Sequence, residues 1–163
     1  HESFVIGFEE AIGTLNTNCC RDKDAFGATI LALEIHDYCL KHKMDLLDYL
    51  EKVIFKTYGW WFGKTDSFII SGYNWKDKAK KLMQYFTNYK AKLVCGLPIK
   101  SIRWNNIGGS LDWDLRNKNW IRFRMSGTEP KFKAYYNLFP KNASEAQTTY
   151  NKLHKYFASI IER

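Results

Sequence analysis

Four consecutive stretches between residues 99 and 139 have the composition of β-strands, and this run constrains the fold more than any other feature. In the third stretch, apolar side chains at every second position alternate with Arg122 and Arg124, which places both arginines on the face away from a core. The four candidate strands are residues 99–104, 110–115, 119–125 and 132–139.

A helix with one apolar face precedes these strands, and another follows them. Asn74 is expected to cap the first helix, in residues 75–89, with lysines on the solvent side. Ser144 is expected to cap the second, and residues 67–71 read as a further strand. Strands flanked by two helices predict a compact α+β domain of about a hundred residues, with an antiparallel sheet.

The first part of the chain has a different pattern. Residues 4–7 read as one short strand, and two helices follow, capped by Asp22 and Asp45. Apolar residues on two stripes of the first helix predict burial on more than one side. Because one strand cannot make a sheet, we expect residues 1–59 to be part of an α/β domain and residues 60–163 to be a second domain.

The net charge of +8 is unevenly distributed. Residues 1–59 hold 6 Lys and Arg against 10 Asp and Glu, whereas residues 60–163 hold 19 against 7, a net charge of +12. A basic second part indicates an anionic partner, which could be a polynucleotide, an acidic surface or a phosphorylated small molecule.

Several classes of protein are not indicated. The chain has no apolar run of membrane-spanning length and no export signal at its first residues, so a cytoplasmic location and no membrane partner are expected. Its four cysteines form no CxxC pair, and its four histidines show no metal-ligand spacing. Cys39 and Cys95 are expected to be reduced packing residues.

A turn rich in anion-binding groups separates the last two candidate strands. Arg124 offers a planar fork for two hydrogen bonds, and the hydroxyls of Ser126 and Thr128 can donate. Gly127 allows successive backbone N–H groups to turn toward an anion, and Lys133 adds charge on the next strand. These groups suit a single phosphate.

The stiffness of this turn and its basic character also allow a simpler interpretation. Pro130 fixes the exit of the turn and holds Glu129 extended, which lowers the entropy lost on binding an anion. Alternatively, the basic residues only protect the edge of a hairpin from aggregation. Composition alone leaves both interpretations open.

The strings that fill three of these loops are more specific than their composition. Residues 124–131 read RMSGTEPK, residues 7–13 read GFEEAIG, and residues 21–24 read RDKD. In this order and spacing they resemble the loops of the α-D-phosphohexomutases, which include phosphoglucomutases and phosphomannomutases. The resemblance runs from Phe4 to the end of the chain.

The resemblance implies a fold and an activity. The chain is similar to the end of the third α/β domain of this family, followed by its fourth, TATA-box-binding-protein-like domain. The family interconverts sugar 1-phosphates and 6-phosphates through a bisphosphate, with Mg²⁺ as cofactor. The loops that carry the phosphoserine and the Mg²⁺ ligands are absent, so the chain is expected to need the missing N-terminal domains and to be inactive alone.

The resemblance also implies roles for particular residues. One set of residues in the 124–133 turn would hold the phosphate that is not transferred: Arg124, Ser126, Gly127, Thr128 and Lys133. Glu9 and Glu10 would bind sugar hydroxyls, while Lys23, assisted by Arg21, would lie near the transferred phosphoryl group. Ala11 stands where many members have Ser, which leaves the preferred sugar open. Residues 57–64 are expected to be the hinge of a lid.

Each of these roles has a simpler alternative. The two glutamates could be a solubilising loop, and Lys23 could be a surface salt-bridge partner of Asp22 or Asp24. The whole basic region could be a module for single-stranded nucleic acid, with its aromatic side chains stacking on bases. The distribution of charge argues against this nucleic-acid alternative, because the positive charge is spread over helix faces while the densest cluster fills one tight turn.

Overall fold

A computed structural model of the chain describes residues 4–9, 13–17, 22–106 and 108–162. The chain forms two compact units, residues 1–58 and residues 59–163. The sequence placed the boundary one residue later, at the same glycine-bearing segment.

The first unit consists of a short hairpin and a set of helices. Strand β1 (Gly7–Phe8) pairs antiparallel with β2 (Thr14–Leu15), and helix α1 spans Ala25–Lys41. Asp24, rather than Asp22, caps α1 by accepting a hydrogen bond from the Phe26 N–H at 3.0 Å. Both aspartates precede the helix, and the Asp24 N–H is held by the carbonyl of Thr14, which fixes where the first turn begins.

Helix α1 is not buried on more than one side, contrary to the expectation from its pattern. Among its residues only Cys39 is buried, and Phe26 is 86% exposed. The apolar stripes are real, but within the described residues of this unit no layer covers them.

A second helical segment follows and ends at a glycine. Asp45 caps α2 (Leu46–Tyr49) as expected, and the segment continues through a π-helical stretch, Leu50–Phe55, into α3 (Lys56–Tyr58). Gly59 has φ of 91°. This left-handed conformation, which favours glycine, ends the helix.

The second unit contains a six-stranded antiparallel sheet, which agrees with the α+β fold class predicted from the sequence. In chain order its strands are β3 (Phe62–Ile69), β4 (Leu93–Val94), β5 (Leu97–Asn105), β6 (Ser110–Leu115), β7 (Trp120–Met125) and β8 (Lys131–Leu138). Their order in the sheet is β3-β8-β7-β6-β5-β4. The sequence missed β4 and began β3 five residues too late, because Gly63, Lys64 and Asp66 have low strand propensity and are held by pairing with β8.

Helices α4 (Trp75–Thr87) and α5 (Ala143–Ile161) pack on one face of this sheet. The ring of Phe86 on α4 stacks on Phe123 of β7 with centroids 4.4 Å apart, and the indole N–H of Trp113 donates to the Phe86 carbonyl. Asn142, not Ser144, caps α5.

Cys39 is buried as expected, but Cys95 is exposed in the turn between β4 and β5.

One buried carboxylate joins α5 to the edge strand. Asp66 of β3 accepts a hydrogen bond from the Tyr150 hydroxyl at 2.7 Å, and its other oxygen lies 2.7 Å from Nδ1 of His154. Burial, followed by the hydrogen bond and the charge of Asp66, raises the pKa of Tyr150 to about 12. These two contacts of Asp66, with Tyr150 and His154, therefore hold α5 against the edge strand of the sheet.

Candidate functional site

The turn between β7 and β8 is closed by hydrogen bonds of its own. The Ser126 N–H donates to the Lys131 carbonyl at 3.0 Å, and the Glu129 N–H donates to the Ser126 hydroxyl oxygen at 3.1 Å. The Ser126 hydroxyl therefore acts as an acceptor inside the turn, and its O–H can still donate outward.

A further hydrogen bond ties the turn to the edge strand. The Ile70 N–H, directly after β3, donates to the Pro130 carbonyl at 2.8 Å. Since Pro130 has a fixed φ, the exit of the turn is held by both covalent geometry and the sheet. Residues 126–130 therefore have a defined shape.

The tip of the turn carries donors that have no partner. Within the described chain, the backbone N–H groups of Gly127 and Thr128 and the Thr128 hydroxyl make no hydrogen bond. Gly127 does not adopt a left-handed conformation, and a Cβ built on it would meet nothing within 4 Å. Gly127 therefore leaves open space above the backbone N–H groups at the tip of the turn, and the role of this glycine in turning them toward an anion stays a prediction.

Two cations lie beside the turn on the outer face of the sheet, opposite the helices. Arg124 of β7 and Lys133 of β8 are direct cross-strand partners. Ile121 and Phe123, which alternate with the arginines of β7, are fully buried, as the sequence predicted. The structure therefore brings together the five residues expected to bind phosphate, Arg124, Ser126, Gly127, Thr128 and Lys133.

The other charges on this face and in the turn are already paired. Arg122 donates Nε and Nη2 to the two oxygens of Asp112 at 2.7 and 2.9 Å. Nη2 of Arg103 lies 2.7 Å from Oδ2 of Asp114, and Nζ of Lys131 lies 3.1 Å from Oε1 of Glu129. Arg124 and Lys133 have no such carboxylate partner, so their charges are not neutralised by any of the described residues.

The pKa directions agree with these pairings. The hydrogen bond to Asp112 raises the pKa of the Arg122 guanidinium above its ordinary value. Partial burial alone would raise the pKa of the Asp114 carboxyl, but hydrogen bonds from Ser101 and Arg103 and the charge of Arg103 outweigh it and lower the pKa. The carboxyl group of Asp114, on the outer face of β6, is thus held in the ionised form.

The first unit has a separate, shallow pocket at its hairpin. Its lining includes Gly7, Glu9, Gly13 and Lys23. A Cβ built on Gly13 would collide with the Lys23 side chain and would lie 2.5 Å from Oε1 of Glu9. A side chain at position 13 would therefore displace the side chains of both Glu9 and Lys23.

Lys23 also has a partner on its own loop. Its Nζ lies 3.3 Å from Oδ1 of Asp22, and both side chains are exposed. The hydrogen bond and charge of Asp22, followed by the charge of Glu9, raise the pKa of Lys23. The salt bridge with Asp22 that the sequence left open is present, and it leaves Lys23 beside Glu9.

Two of the expected site residues, Glu10 and Arg21, lie outside the described residues, as does Ala11. Among the residues that are described, no group of three or more His, Cys, Asp or Glu side chains could hold a metal ion. Those side chains do not fit a magnesium site. No helix in the described parts of the chain is long and apolar enough to cross a membrane.

Sequence reasoning missed the charge network on the outer face, in which Asp112 and Arg122 are central. The signal was present, because Asp112 and Asp114 alternate with the buried Leu111, Trp113 and Leu115. Only the register, which pairs Asp112 with Arg122 and Ser110 with Arg124, reveals which cations are neutralised.

Sequence comparison finds relatives over nearly the whole chain. A phosphomannomutase of Mycoplasmoides pirum is 48% identical over 151 residues, which are 90% of this chain and 28% of the relative. A phosphomannomutase of Mycoplasma pneumoniae is 35% identical over 159 residues, and a phosphoglucomutase of Staphylococcus aureus is 26% identical over 170 residues. No family model matches the chain.

Comparison with solved structures supports the fold. Parafusin, a phosphoglucomutase of Paramecium crystallised in an open form, superposes with a TM-score of 0.56 at 17% identity, over 94% of this chain. The match covers 29% of parafusin, and the chain spans between a quarter and a third of the length of the relatives named here.

Proposed function

Because the chain belongs to the phosphohexomutase family, we propose that it is the part of a sugar-phosphate mutase that binds the sugar hydroxyls and the phosphate that is not transferred. The proposal assigns the phosphate to the turn between β7 and β8 and the sugar edge to the hairpin loop of the first unit. The parent enzyme would interconvert sugar 1-phosphates and 6-phosphates through a bisphosphate.

The observation that carries the proposal is the pairing of charges around the turn. Arg124 and Lys133 are unpaired in the described chain, and they flank a turn with two free backbone N–H groups. A phosphate needs several convergent donors and a neutralising charge. A single compact phosphate fits this arrangement better than a long polyanion, because the neighbouring arginines are already neutralised.

A turn of this kind suits a substrate that must bind in two orientations. If a sugar bisphosphate turns round between two transfers, the same groups must hold either of its phosphates. Arg124, Lys133 and the free N–H groups recognise the phosphate alone, without reference to the sugar carbon that bears it. Charge-assisted hydrogen bonds contribute roughly 1.5–3 kcal/mol each, enough to anchor the remote end of the substrate.

The hairpin loop would supply the sugar contacts. An ionised carboxylate such as that of Glu9 can accept hydrogen bonds from two neighbouring hydroxyls, which fixes a sugar by its edge. Glu10 would share this role. Lys23, close to Glu9, would place a cation where charge develops on the transferred phosphoryl group, with Arg21 assisting.

Several parts of the reaction lie outside this chain under the proposal. The phosphoserine and the Mg²⁺ ligands would belong to further domains of the same protein, and the sugar bisphosphate would be its intermediate. We expect the chain to bind sugar monophosphates but to have no mutase activity alone. Adding the missing domains, on one chain or in trans, is then required for turnover.

An amide NMR titration of the chain with glucose 1-phosphate tests the phosphate site. We expect saturable shifts at Ser126, Gly127 and Thr128, with much smaller changes on α4. A single-stranded oligonucleotide at the same ionic strength is the parallel sample. Shifts with the oligonucleotide alone, spread over the lysines of α4, would identify a nucleic-acid module instead.

Two arginines on the outer face give a matched pair of variants. Arg124→Ala removes an unpaired cation, whereas Arg103→Ala removes one that is already paired with Asp114. We expect Arg124→Ala to raise the Kd for glucose 1-phosphate on the order of ten- to a hundredfold, and Arg103→Ala to change it by about twofold or less. Equal effects of the two substitutions would contradict the assignment.

A further inference from the structure

Asp112 lies where it could compete for the unpaired arginine. On β6 it is the direct partner of Arg122, and its neighbour Ser110 is the direct partner of Arg124. Asp112 and Arg124 are therefore diagonal neighbours on the same face of the sheet. Diagonal neighbours in an antiparallel pair lie roughly 7–8 Å apart, within reach of a long side chain.

A diagonal pair already exists on this face. Arg103 lies directly opposite Asp112, yet its guanidinium bonds to Asp114, which is opposite Ser101. An arginine here thus reaches past its direct partner to a carboxylate two residues along. Arg124 has the same chemical reach, and the direct partner it would pass over is the uncharged Ser110.

Asp112 is paired with Arg122 and makes no ion pair with Arg124. The guanidinium of Arg122 donates one hydrogen bond to each carboxylate oxygen, and the Ser110 hydroxyl donates to Oδ1 at 3.4 Å. The two-bond geometry matches the fork of arginine and is lost with any other side chain. The Asp112 side chain is 15% exposed, so little water competes for it.

We propose that Arg122 is a positioning residue for Arg124: by holding both oxygens of Asp112, it prevents that carboxylate from capturing Arg124, which stays available to an external phosphate. The inference rests on the proposed function of the turn. It adds a role for two residues that do not contact the ligand, and it explains why an acidic residue is tolerated next to an anion site.

The test uses four variants of the chain. Arg122→Gln releases Asp112, the double variant Arg122→Gln with Asp112→Asn removes the released carboxylate, and Arg103→Gln releases Asp114, which is not a diagonal neighbour of Arg124. The two single substitutions by glutamine, Arg122→Gln and Arg103→Gln, make the same change in charge. Arg122→Lys keeps the charge and loses only the fork, which provides a milder variant should Arg122→Gln unfold.

The first readout needs no ligand. In the free protein, we expect Arg122→Gln to shift the Arg124 Nε–H resonance and to slow its exchange with water severalfold, because Asp112 now accepts from it. Arg122→Lys should give a smaller change in the same direction, and the double variant should restore the original signal. An Arg124 signal that is the same in the wild type and in Arg122→Gln and Arg122→Lys would overturn the inference.

The second readout is affinity for glucose 1-phosphate. We expect Arg122→Gln to raise the Kd about tenfold, Arg103→Gln to raise it about twofold, and the double variant to bind like the wild type. Equal losses in the two single variants would mean that only net charge matters and would overturn the inference. If the wild type does not bind while the Arg124 signal responds, the proposed function fails and the positioning role stands.

Discussion

Arg124 and Lys133 lie directly opposite each other on β7 and β8, and neither contacts a carboxylate in the parts of the chain that the structure describes. Like charges on directly opposed strand positions destabilise a sheet by up to about 1 kcal/mol. An arrangement that is unfavourable for folding and is found next to a turn with free donors is typical of a binding site.

A first prediction concerns the second cation of this pair. Lys133→Gln should raise the Kd for glucose 1-phosphate on the order of tenfold, because one charge-assisted contact is lost. The same substitution should also raise the free energy of unfolding slightly, since the repulsion with Arg124 is removed. Isothermal titration calorimetry and urea unfolding measure the two effects. Lys155→Gln, at an exposed position of α5, is the control of equal charge change and should alter neither quantity.

A second prediction compares two glycines, one that leaves room for a ligand and one that adopts a left-handed backbone conformation. Gly127→Ala should leave the free energy of unfolding almost unchanged, because Gly127 has no left-handed φ and its Cβ would meet nothing. The added methyl group stands where a phosphate would approach the N–H groups of Gly127 and Thr128, so the Kd should rise severalfold. Gly59→Ala should do the opposite: it costs about 1 kcal/mol at a φ of 91° and leaves the Kd unchanged. Both glycines showing the same pattern would contradict this account.

A third prediction tests the hairpin pocket of the first unit. Gly13→Ala inserts a methyl group against the side chains of Glu9 and Lys23, both of which must move. If Glu9 binds sugar hydroxyls, affinity for glucose 1-phosphate should fall severalfold while affinity for inorganic phosphate, which needs only the turn in the second unit, stays the same. Competition titrations with the two ligands measure the difference. A parallel loss for both ligands would argue against a sugar-specific role.

A fourth prediction uses the buried bond between Tyr150 and Asp66. Tyr150→Phe should lower the free energy of unfolding by roughly 1.5–3 kcal/mol near neutral pH, because a hydrogen bond to a buried carboxylate is lost. Tyr73→Phe, at a fully exposed position, is the control and should have no effect.

The pH dependence of this bond follows from the raised pKa of Tyr150, about 12 in the folded protein. The folded state keeps the phenol proton more tightly than the unfolded state, in which the pKa is near 10. The contribution of Tyr150 to stability is therefore complete below about pH 10 and is lost as the pH rises toward 12. Unfolding curves between pH 9 and 12 should converge for the wild type and Tyr150→Phe; curves that stay parallel would refute the assignment.

How far the sequence alone predicts this structure depends on the element. Strand β6 was predicted with its observed bounds, Ser110–Leu115, because its strict alternation fixes which side chains face the core. Helix starts were less secure: where two capping residues stand close together, as with Asp22 and Asp24, the pattern does not say which one accepts the hydrogen bond. The π-helical stretch in the second helical segment has no pattern of its own.

The site was predictable in its composition and not in its electrostatics. The string around Arg124 gave the phosphate-binding candidates, and all of them lie together. That Arg122 is neutralised and Arg124 is not depends on the register of β6 against β7, which places Asp112 opposite Arg122 and Ser110 opposite Arg124. A shift of two residues would keep every side chain on the same face, so the alternation within either strand does not determine this register.

The hydrogen bond from Ile70 to the Pro130 carbonyl has a kinetic consequence. A turn anchored to the sheet at its exit does not have to reorganise when a ligand arrives, so association should occur in one step at a rate set by diffusion and orientation. Different phosphorylated ligands would then reach the turn at similar rates and differ mainly in how long they stay.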